Sequence, residues 1–277
     1  MENKILKAYE NLDFLNSHDA RPIRVLCELV ESSVRLEKEN ISNTLVFFGS
    51  ARSKPSHEAH NNLEKLIGAL PGPKQHTEEQ EKQLQKAKSL ADLSPYYDAA
   101  VSLSQKLSTW SKENFPPDNQ FHICSGGGPG MMEAANKGAH QANAKSVALG
   151  ISLPFEQGIN QFATPELAFE FHYFFIRKFY FLYHAKAVVA FPGGFGTMDE
   201  LFEVLTLIQT KKIGKRIPIY LFGNDFWSKL IDFKQFVKFG VISPEDLELF
   251  QVVDEVDEAF KLITADLQRM NSECEQT

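Results

Sequence analysis

The segment Phe191-Pro-Gly-Gly-Phe-Gly-Thr-Met-Asp-Glu200 decides how this chain folds, because a glycine turn here joins a strand pattern to a helix pattern. The apolar run 187–191 is typical of a buried strand, and the apolar residues of 201–208 recur at helical spacing. Such a turn places the free N–H groups of a helix N-terminus at the carboxyl end of a strand, where they favour an anion. Thr197 adds a hydroxyl and suits the N-cap position. The spacing alone also fits a tight strand-to-helix turn without a ligand.

Two carboxylates distinguish this turn from a plain phosphate loop. Asp199 and Glu200 suit the first turn of a helix, where the helix dipole favours negative charge. They also repel a bound phosphate, unless one of them faces another part of the ligand, such as a sugar. Many helices carry acids in their first turn without binding a ligand, so the carboxylates alone leave both interpretations open.

Two further glycine turns follow predicted strands. Gly126-Gly-Gly-Pro-Gly130 comes after the strand pattern 121–125, and Gly49-Ser-Ala-Arg52 comes after the strand pattern 44–48. The turn at 126–130 has neither the GxGxxG spacing nor the Gly-Lys-Ser/Thr ending of the common dinucleotide and nucleoside triphosphate loops. Because the carboxyl ends of parallel strands meet at one edge of a sheet, the three turns predict a nucleotide-sized, phosphate-bearing ligand at that edge.

Strand and helix patterns alternate along the chain. Strands are predicted at 44–48, 121–125, 146–151, 187–191 and 217–222. Helices are predicted from 96 to 110 and at 129–143, 166–184 and 199–211, with further helices to about 268. The alternation indicates an α/β fold with a doubly wound parallel sheet flanked by helices.

The predicted domain organisation follows from the same patterns. Residues 1–43 form an N-terminal helical extension, 44–268 a nucleotide-binding catalytic domain, and 269–277 a polar tail. A polar segment at about 54–94 is expected to be a helical surface insertion or a partly disordered loop, with charges that serve solvation.

Composition excludes several classes of function. The net charge of −7 argues against a general nucleic-acid binder, and no apolar run approaches the length of a membrane span. Cys27, Cys124 and Cys274 are odd in number and lack metal-ligand spacing, which together with the absence of a signal-peptide pattern favours a reducing, cytoplasmic location. The histidines lack metal-ligand spacing as well, and no metal or other cofactor is expected.

Five segments together resemble the Lonely Guy (cytokinin-activating) family, whose members were long described as lysine decarboxylases. The segments are Phe-Gly-Ser-Ala-Arg (48–52), Ser-Gly-Gly-Gly-Pro-Gly-Met-Met-Glu-Ala-Ala-Asn (125–136), Leu-Pro-Phe-Glu-Gln (153–157), Tyr-Phe-Phe-Ile-Arg-Lys (173–178) and Pro-Gly-Gly-Phe-Gly-Thr-Met-Asp-Glu (192–200). The resemblance covers roughly residues 44–265, and segment 20–24 is similar to the longer bacterial branch. The insertion after Arg52 departs from the family pattern.

The resemblance implies a Rossmann-like fold, a homodimer or higher homo-oligomer, and hydrolysis of the N-glycosidic bond of a nucleoside 5′-monophosphate to the free base and ribose 5-phosphate. The family's catalytic arginine falls on Arg177 and its catalytic glutamate on Glu200. Its nucleotide-binding stretch falls on Gly194 to Glu200, and a threonine further along falls on Thr206. The candidate substrate-binding residues are Ser50, Gly126, Gly127, Gly128, Glu156, Lys178, Gly193, Gly194, Phe195, Gly196, Thr197, Met198, Asp199 and Thr206.

The implied chemistry agrees with the residue types. Cleavage of a ribosyl–base bond builds positive charge on the sugar, which a carboxylate at Glu200 stabilises while it orients or deprotonates the attacking water. Arg177 suits a phosphate or ribose and the positioning of Glu200. A carrier that binds a nucleotide or a pterin cofactor without chemistry is the alternative, since a carrier needs the glycine turns but not this pair.

Overall fold

A computed structural model of the chain describes residues 5–71, 76–152 and 158–274. Its strands are β1 (Asn43–Phe48), β2 (Phe121–Ser125), β3 (Ser146–Ile151), β4 (Ala168–Phe171), β5 (Ala185–Ala190), β6 (Ile219–Phe222) and β7 (Phe250–Val253). Its α-helices are α1 (Leu12–Leu15), α2 (Arg21–Lys38), α3 (Ser56–Ala69), α4 (Glu78–Asn114), α5 (Met131–Gln141), α6 (Phe174–Tyr183), α7 (Phe195–Gln209), α8 (Asn224–Leu230), α9 (Phe233–Lys238) and α10 (Val256–Cys274).

The seven strands form one parallel sheet in the order β4-β3-β2-β1-β5-β6-β7. From β1 the chain builds outward through β2 and β3 to β4, and then returns to the other side of β1 with β5. The winding direction therefore reverses between β1 and β5, and open α/β sheets bind their ligands outside such a switch point. The predicted α/β doubly wound sheet is confirmed.

Both faces of the sheet are buried, which explains why its central strands are continuous apolar runs. In β1, Val46 and Phe48 pack into one core, whereas Leu45 and Phe47 pack into the other. The first core lies beneath α6, α7 and α8, and the second lies beneath α4, α5 and α10. Side chains that alternate across a strand can meet two apolar layers only if both layers are covered by helices.

The predicted long helix at 166–184 is wrong. The structure divides this segment into a 3₁₀ turn (Pro165–Leu167), β4 and α6. Phe169 and Phe171 alternate with more exposed residues, which is the period of a strand. The Glu28 carboxylate accepts hydrogen bonds from the backbone N–H groups of His172 (2.8 Å) and Tyr173 (3.2 Å), and thereby fixes the turn that separates β4 from α6.

The polar segment 54–94 is helical in its described parts, but it is not separate from the helix predicted to begin at residue 96. Helix α4 continues through Pro95, and its second half packs Tyr97, Leu103 and Leu107 into the core. A capping box between Thr77 and Gln80 begins this helix. The predicted start of a helix at 96 is therefore wrong, because burial of the apolar face outweighs the hydrogen bond that a proline removes.

The C-terminal part differs from the prediction in two elements. Strand β7 pairs with β6 at the edge of the sheet, where only helices were expected. Helix α10 extends to Cys274, into the predicted polar tail. The division into an extension, a catalytic domain and a tail stays a prediction.

Among the described residues, no helix is both long and apolar enough to cross a membrane.

Candidate functional site

Two loops meet at the switch point of the sheet. The loop after β1 contains Ser50, whose backbone N–H donates a hydrogen bond of 3.0 Å to the carbonyl of Pro192 in the loop after β5. The N–H of Phe191 donates to the carbonyl of Phe48 (2.9 Å). These bonds continue the sheet pairing past the ends of both strands and hold the two glycine turns side by side.

The glycine turn after β2 is joined to the same place through Gly130. This residue has a φ of 71°, and a Cβ atom on it would lie 2.3 Å from the carbonyl oxygen of Ser50. The next residue, Met131, donates its N–H to that oxygen at 3.0 Å. Only glycine allows this approach. The structure thus brings the three glycine turns together at one edge of the sheet.

A buried network of polar side chains holds the turn after β2. The Asn136 side-chain oxygen accepts hydrogen bonds from Ser125 Oγ (2.7 Å) and from Asn160 Nδ2 (2.9 Å). Asn160 also donates to the carbonyls of Gly127 (2.9 Å) and Gly128 (3.2 Å). The carbonyls of this turn are therefore bound within the protein. The roles of Asn136 and Asn160 were not predicted from the sequence, although a polar residue within an apolar helix stretch is a signal for Asn136.

The central feature of the site is an ion pair between Arg177 of α6 and Glu200 of α7. Arg177 Nη1 lies 3.1 Å from Glu200 Oε1, and Arg177 Nε donates to the carbonyl of Leu149 at 2.7 Å. The guanidinium also stacks over Phe181, with Cζ at 4.8 Å from the ring centroid. Arg177 is only 8% exposed. The two residues predicted to be catalytic are in direct contact.

Gly126 is required for the position of this guanidinium. A Cβ atom at Gly126 would lie 2.5 Å from Arg177 Nη2 and 2.6 Å from Met132 Sδ. The turn after β2 therefore contacts the ion pair through a bare backbone, and any side chain at Gly126 would displace the arginine or the methionine.

Burial raises the pKa of Glu200 from its ordinary 4.5 to about 7. The positive charges of Arg177 and Lys178 act in the opposite direction, while the negative charges of Asp199 and Glu203 add to the rise. The desolvation of the carboxylate exceeds the attraction of its arginine partner. Glu200 is thus poised to exchange a proton near neutral pH.

Helix α7 presents its N-terminus to the same space. It begins at Phe195 with Gly194 as N-cap, so Thr197 lies within the first turn and is not the N-cap that the sequence suggested. Thr197 is buried against Gly193, where a Cβ atom would lie 2.2 Å from Thr197 Oγ1. A Cβ atom at Gly194 or Gly196 would meet nothing within 4 Å. The amides of the first turn are therefore accessible to an anion.

These elements line a cleft of about 680 Å³. Its lining includes several predicted residues: Ser50, Arg177, Gly193, Gly194, Phe195, Gly196, Thr197, Met198 and Glu200. It also includes Gly49, Ala51 and Arg52 of the predicted glycine turn after β1, together with four residues that were not among the candidates: Met132, Ile151, Phe174 and Leu230. Phe174, Phe195 and Leu230 are exposed apolar side chains at the cleft, so the cleft combines a helix N-terminus with apolar walls.

Several predicted residues lie elsewhere. Lys178 pairs with Asp199 (2.7 Å) and Glu203 (3.1 Å), and these residues line a separate depression of about 460 Å³ that also contains Thr206. Neighbouring residues on a helix point in different directions, which separates Lys178 from Arg177 and Asp199 from Glu200. Met198 lines both spaces.

The turn after β2 does not line the cleft itself. Gly126 and Gly128 border a small cavity of about 90 Å³, and a Cβ atom at Gly127 would lie 2.8 Å from Ile159 Cδ1. Asn160 and Ile159 cover this side of the turn, so these three glycines serve close packing beside the cleft. Glu156, also predicted to bind substrate, lies outside the described residues.

Comparison with known proteins gives a family match over the elements that carry the site. Residues 132–263, which include the Arg177–Glu200 pair, match the model of a family described as "Possible lysine decarboxylase". The cytokinin riboside 5′-monophosphate phosphoribohydrolase LOG3 of Arabidopsis thaliana is 28% identical over 160 residues, which cover 56% of this chain and 68% of the plant protein.

Solved structures also match. A structural-genomics target protein is 18% identical to this chain, with a TM-score of 0.47. The match covers 80% of this chain and 99% of the target protein. The molybdenum cofactor binding protein of the phototrophic bacterium Rippkaea orientalis is 15% identical, with coverage of 82% and 98% and a TM-score of 0.47.

The raised pKa of Glu200 predicts a pH-dependent contribution to stability. A carboxyl whose pKa rises on folding stabilises the fold fully below pH 4.5, and this contribution is lost as the pH rises through about 7. The difference between the two pKa values corresponds to roughly 3 kcal/mol. We expect the free energy of unfolding of the wild type to fall relative to that of Glu200→Gln by up to this amount between pH 4.5 and 8, measured by urea denaturation. Parallel pH profiles of the two proteins would contradict the assignment.

Proposed function

The chain belongs to the Lonely Guy family, and from this premise we propose that it is a hydrolase that cleaves the N-glycosidic bond of nucleoside 5′-monophosphates. The products are the free base and ribose 5-phosphate. The observation that carries the proposal is the buried Arg177–Glu200 pair, 3.1 Å apart, in a cleft that also receives the N-terminus of α7.

The phosphate of the substrate fits the first turn of α7. Gly194 and Gly196 leave the backbone amides of this turn open, and the helix dipole adds positive potential there. Arg52 lies exposed at the same cleft. With the phosphate at this end, the ribose comes near Glu200, which lies in the second turn of the same helix, and the base faces the apolar walls.

Glu200 is the group that we assign to the chemical step. As the bond from C1′ to the base nitrogen breaks, its electrons leave with the base and the ribosyl C1′ becomes cationic. The carboxylate stabilises that charge and accepts a proton from the water that attacks C1′. Transfer of this proton to the departing base nitrogen, directly or through solvent, gives the neutral free base and restores the carboxylate. A pKa of about 7 leaves a substantial fraction of Glu200 ionised at neutral pH and makes it a matched general base.

Arg177 acts mainly by positioning Glu200. Its Nε donates a hydrogen bond to the carbonyl of Leu149 and its Nη1 donates one to the Glu200 carboxylate. Two of its three nitrogens are therefore bonded within the protein. Nη2, which lies against Gly126, remains to contact a substrate oxygen. The arginine thus holds the carboxylate in place and limits its pKa rise, because removal of its charge would raise that pKa further.

The plant relative is named for cytokinin riboside 5′-monophosphate, and this compound and AMP are the substrates we propose to test first. Phe174, Met132 and Leu230 offer an apolar surface to the base. A carrier that binds a nucleotide or a pterin cofactor without chemistry is the alternative outcome. Such a carrier has no need of a desolvated carboxylate that is buried beside its ligand.

The remaining assignments are also proposals. We assign catalysis to the predicted domain 44–268 and substrate contact to the residues of the cleft, whereas Lys178, Asp199 and Thr206 face a separate depression. We place the protein in the cytoplasm, because Cys27 and Cys124 are free thiols.

The first test compares ligands with and without the phosphate. We expect AMP and other 5′-monophosphates to be hydrolysed far better than the parent nucleosides, because each charge-assisted hydrogen bond lost with the phosphate costs about 1.5–3 kcal/mol. Release of free base from a panel of nucleosides and monophosphates, followed by chromatography, measures the difference. Equal rates for adenosine and AMP would exclude the phosphate placement, and binding of AMP without release of base would favour the carrier.

The second test removes the catalytic charge. Glu200→Gln keeps the shape of the side chain, so we expect the variant to fold and bind AMP while its turnover falls by about 100-fold or more. Glu203→Gln, on the same helix but facing Lys178, is the matched control and should retain turnover. Arg177→Ala should lose turnover and also bind AMP more weakly. Near-parental turnover by folded Glu200→Gln would require a different catalytic group.

We also propose that the protein is a homodimer or higher homo-oligomer. On α6, Phe175, Phe179 and Tyr183 are 57%, 44% and 56% exposed and recur every four residues, which forms an aromatic stripe on one side of the helix. Aromatic side chains are enriched at subunit interfaces, and a two-fold axis lets one stripe pack against its copy.

The assembly is tested by light scattering at micromolar concentration. We expect a mass of at least twice that of one chain, and a shift towards the monomer for Phe179→Glu. Phe239→Glu introduces the same charge at an exposed phenylalanine away from α6 and should leave the mass unchanged. A monomeric wild type would refute the interface without affecting the cleft.

A further inference from the structure

Helix α2 carries apolar side chains on two sides. Its inner side packs Val25, Leu29 and Leu36 against the first core, and the Tyr180 hydroxyl of α6 donates a hydrogen bond to the carbonyl of Leu29. Its outer side exposes apolar residues that we call the α2 stripe: Ile23, Leu26, Cys27, Val30 and Val34. We propose that this stripe packs against the α2 stripe of a second copy of the chain, as an antiparallel helix pair around a two-fold axis.

The exposure of the stripe is the first argument. Leu26, Val30 and Val34 are 58%, 57% and 57% exposed, although they recur on one side of the helix as core residues do. A surface helix normally turns charged and polar residues to the solvent on the side opposite its core-facing side. A helix that is apolar on its outer side as well is typical of a helix that is covered on both sides.

The spacing of the stripe indicates what covers it. Ile23, Cys27, Val30 and Val34 follow one another at intervals of four, three and four residues. This is the spacing of a coiled-coil seam, in which the apolar residues of one helix insert between those of another helix. A second copy supplies a helix with the same spacing, because a two-fold axis places the same surface patch of both copies face to face.

The charges beside the stripe favour the antiparallel direction. Arg24 and Glu31 border the stripe on the same edge, one on each side of its middle. In an antiparallel pair, Arg24 of one copy comes beside Glu31 of the other, and the two-fold axis repeats this contact. A parallel pair would not bring these two side chains together. The Glu31 side chain is 59% exposed and pairs with Arg35 in its own helix, so its carboxylate has room for a second cation.

A lipid surface fits the α2 stripe less well. Helices that lie on membranes carry mainly Lys and Arg on their polar side, which attract anionic lipids. In α2, Glu28, Glu31 and Glu37 lie among the cations, and such a mixture of charges is typical of helices that pair with other helices.

The α2 stripe is separate from the cleft and from the aromatic stripe of α6. None of the described residues that line the cleft belongs to the α2 stripe, and α2 contacts α6 through its inner side. The pairing therefore does not depend on the proposed hydrolysis. Two different two-fold interfaces on one chain give an assembly larger than a dimer, and either interface can exist without the other.

The pairing is tested by light scattering of the full chain at micromolar concentration. We expect Val30→Glu, which places two like charges in the middle of the helix pair, to lower the mass of the assembly by half or more. Val241→Glu adds the same charge at a valine that is 69% exposed outside α2, and should leave the mass unchanged. If the α6 stripe is not an interface, Phe179→Glu leaves the mass unchanged while Val30→Glu still lowers it.

The natural thiol of Cys27 gives a second measurement that does not require a destabilising variant. In the antiparallel pair the two Cys27 side chains lie near the two-fold axis, so a short bismaleimide should join two copies covalently. We expect Cys27→Ser to abolish the covalent dimer and Val30→Glu to reduce it, with an unchanged circular dichroism spectrum because Val30 is 57% exposed. A mass that Val30→Glu leaves unchanged, or a covalent dimer that Cys27→Ser leaves unchanged, would overturn the pairing and assign the stripe to a different partner.

Discussion

The cost of holding a carboxylate away from water is the constraint on which the candidate site depends. The Glu200 side chain is 14% exposed, and Arg177 is the one ion-pair partner that it has among the described residues. The rise in its pKa indicates that this partner does not fully compensate for the lost hydration. The position of Arg177 must therefore be secured by other means. The carbonyl of Leu149, the ring of Phe181 and the bare backbone of Gly126 secure it from three sides. Strand β3, helix α6 and the glycine turn after β2 thus all contact this one guanidinium.

The parallel sheet supplies the framework for that arrangement. Since β1 and β5 are neighbours, their loops join through the hydrogen bond from the Ser50 N–H to the Pro192 carbonyl. The first turn of α5 is tied to the same loop, because the Met131 N–H donates to the Ser50 carbonyl. Helix α6 connects β4, at one edge of the sheet, to β5, next to β1 at the centre, so it crosses the strands that lie between them. That crossing brings Arg177 over β3 and towards Glu200. The Arg177–Glu200 pair therefore depends on the order of the strands as well as on the motif residues.

The sequence predicted what is encoded locally. Strands β2 and β3 begin and end where their apolar runs do, and the glycine turns after β1, β2 and β5 lie at one edge of the sheet. The secondary-structure and site predictions were wrong where contacts between distant parts of the chain determine the structure. Strand β4 is too short to differ from the aromatic helix that follows it, and the Glu28 carboxylate that separates the two comes from a distant part of the chain. The separation of Lys178 from Arg177 depends on how α6 is rotated, which residue spacing does not reveal.

The glycines of the site differ in what they permit. Gly130 faces the Ser50 carbonyl at a distance that excludes any side chain, whereas Gly194 and Gly196 face open space. The fold itself therefore prevents substitution of Gly130, whereas a side chain at Gly194 or Gly196 would meet no described atom, and only a bound ligand would select against it. In homologues that no longer bind a ligand, we expect Gly130 to be retained, whereas Gly194 and Gly196 can be replaced by other residues. The pattern of glycine retention among descendants of such a protein would thus record whether the scaffold or the ligand was still under selection.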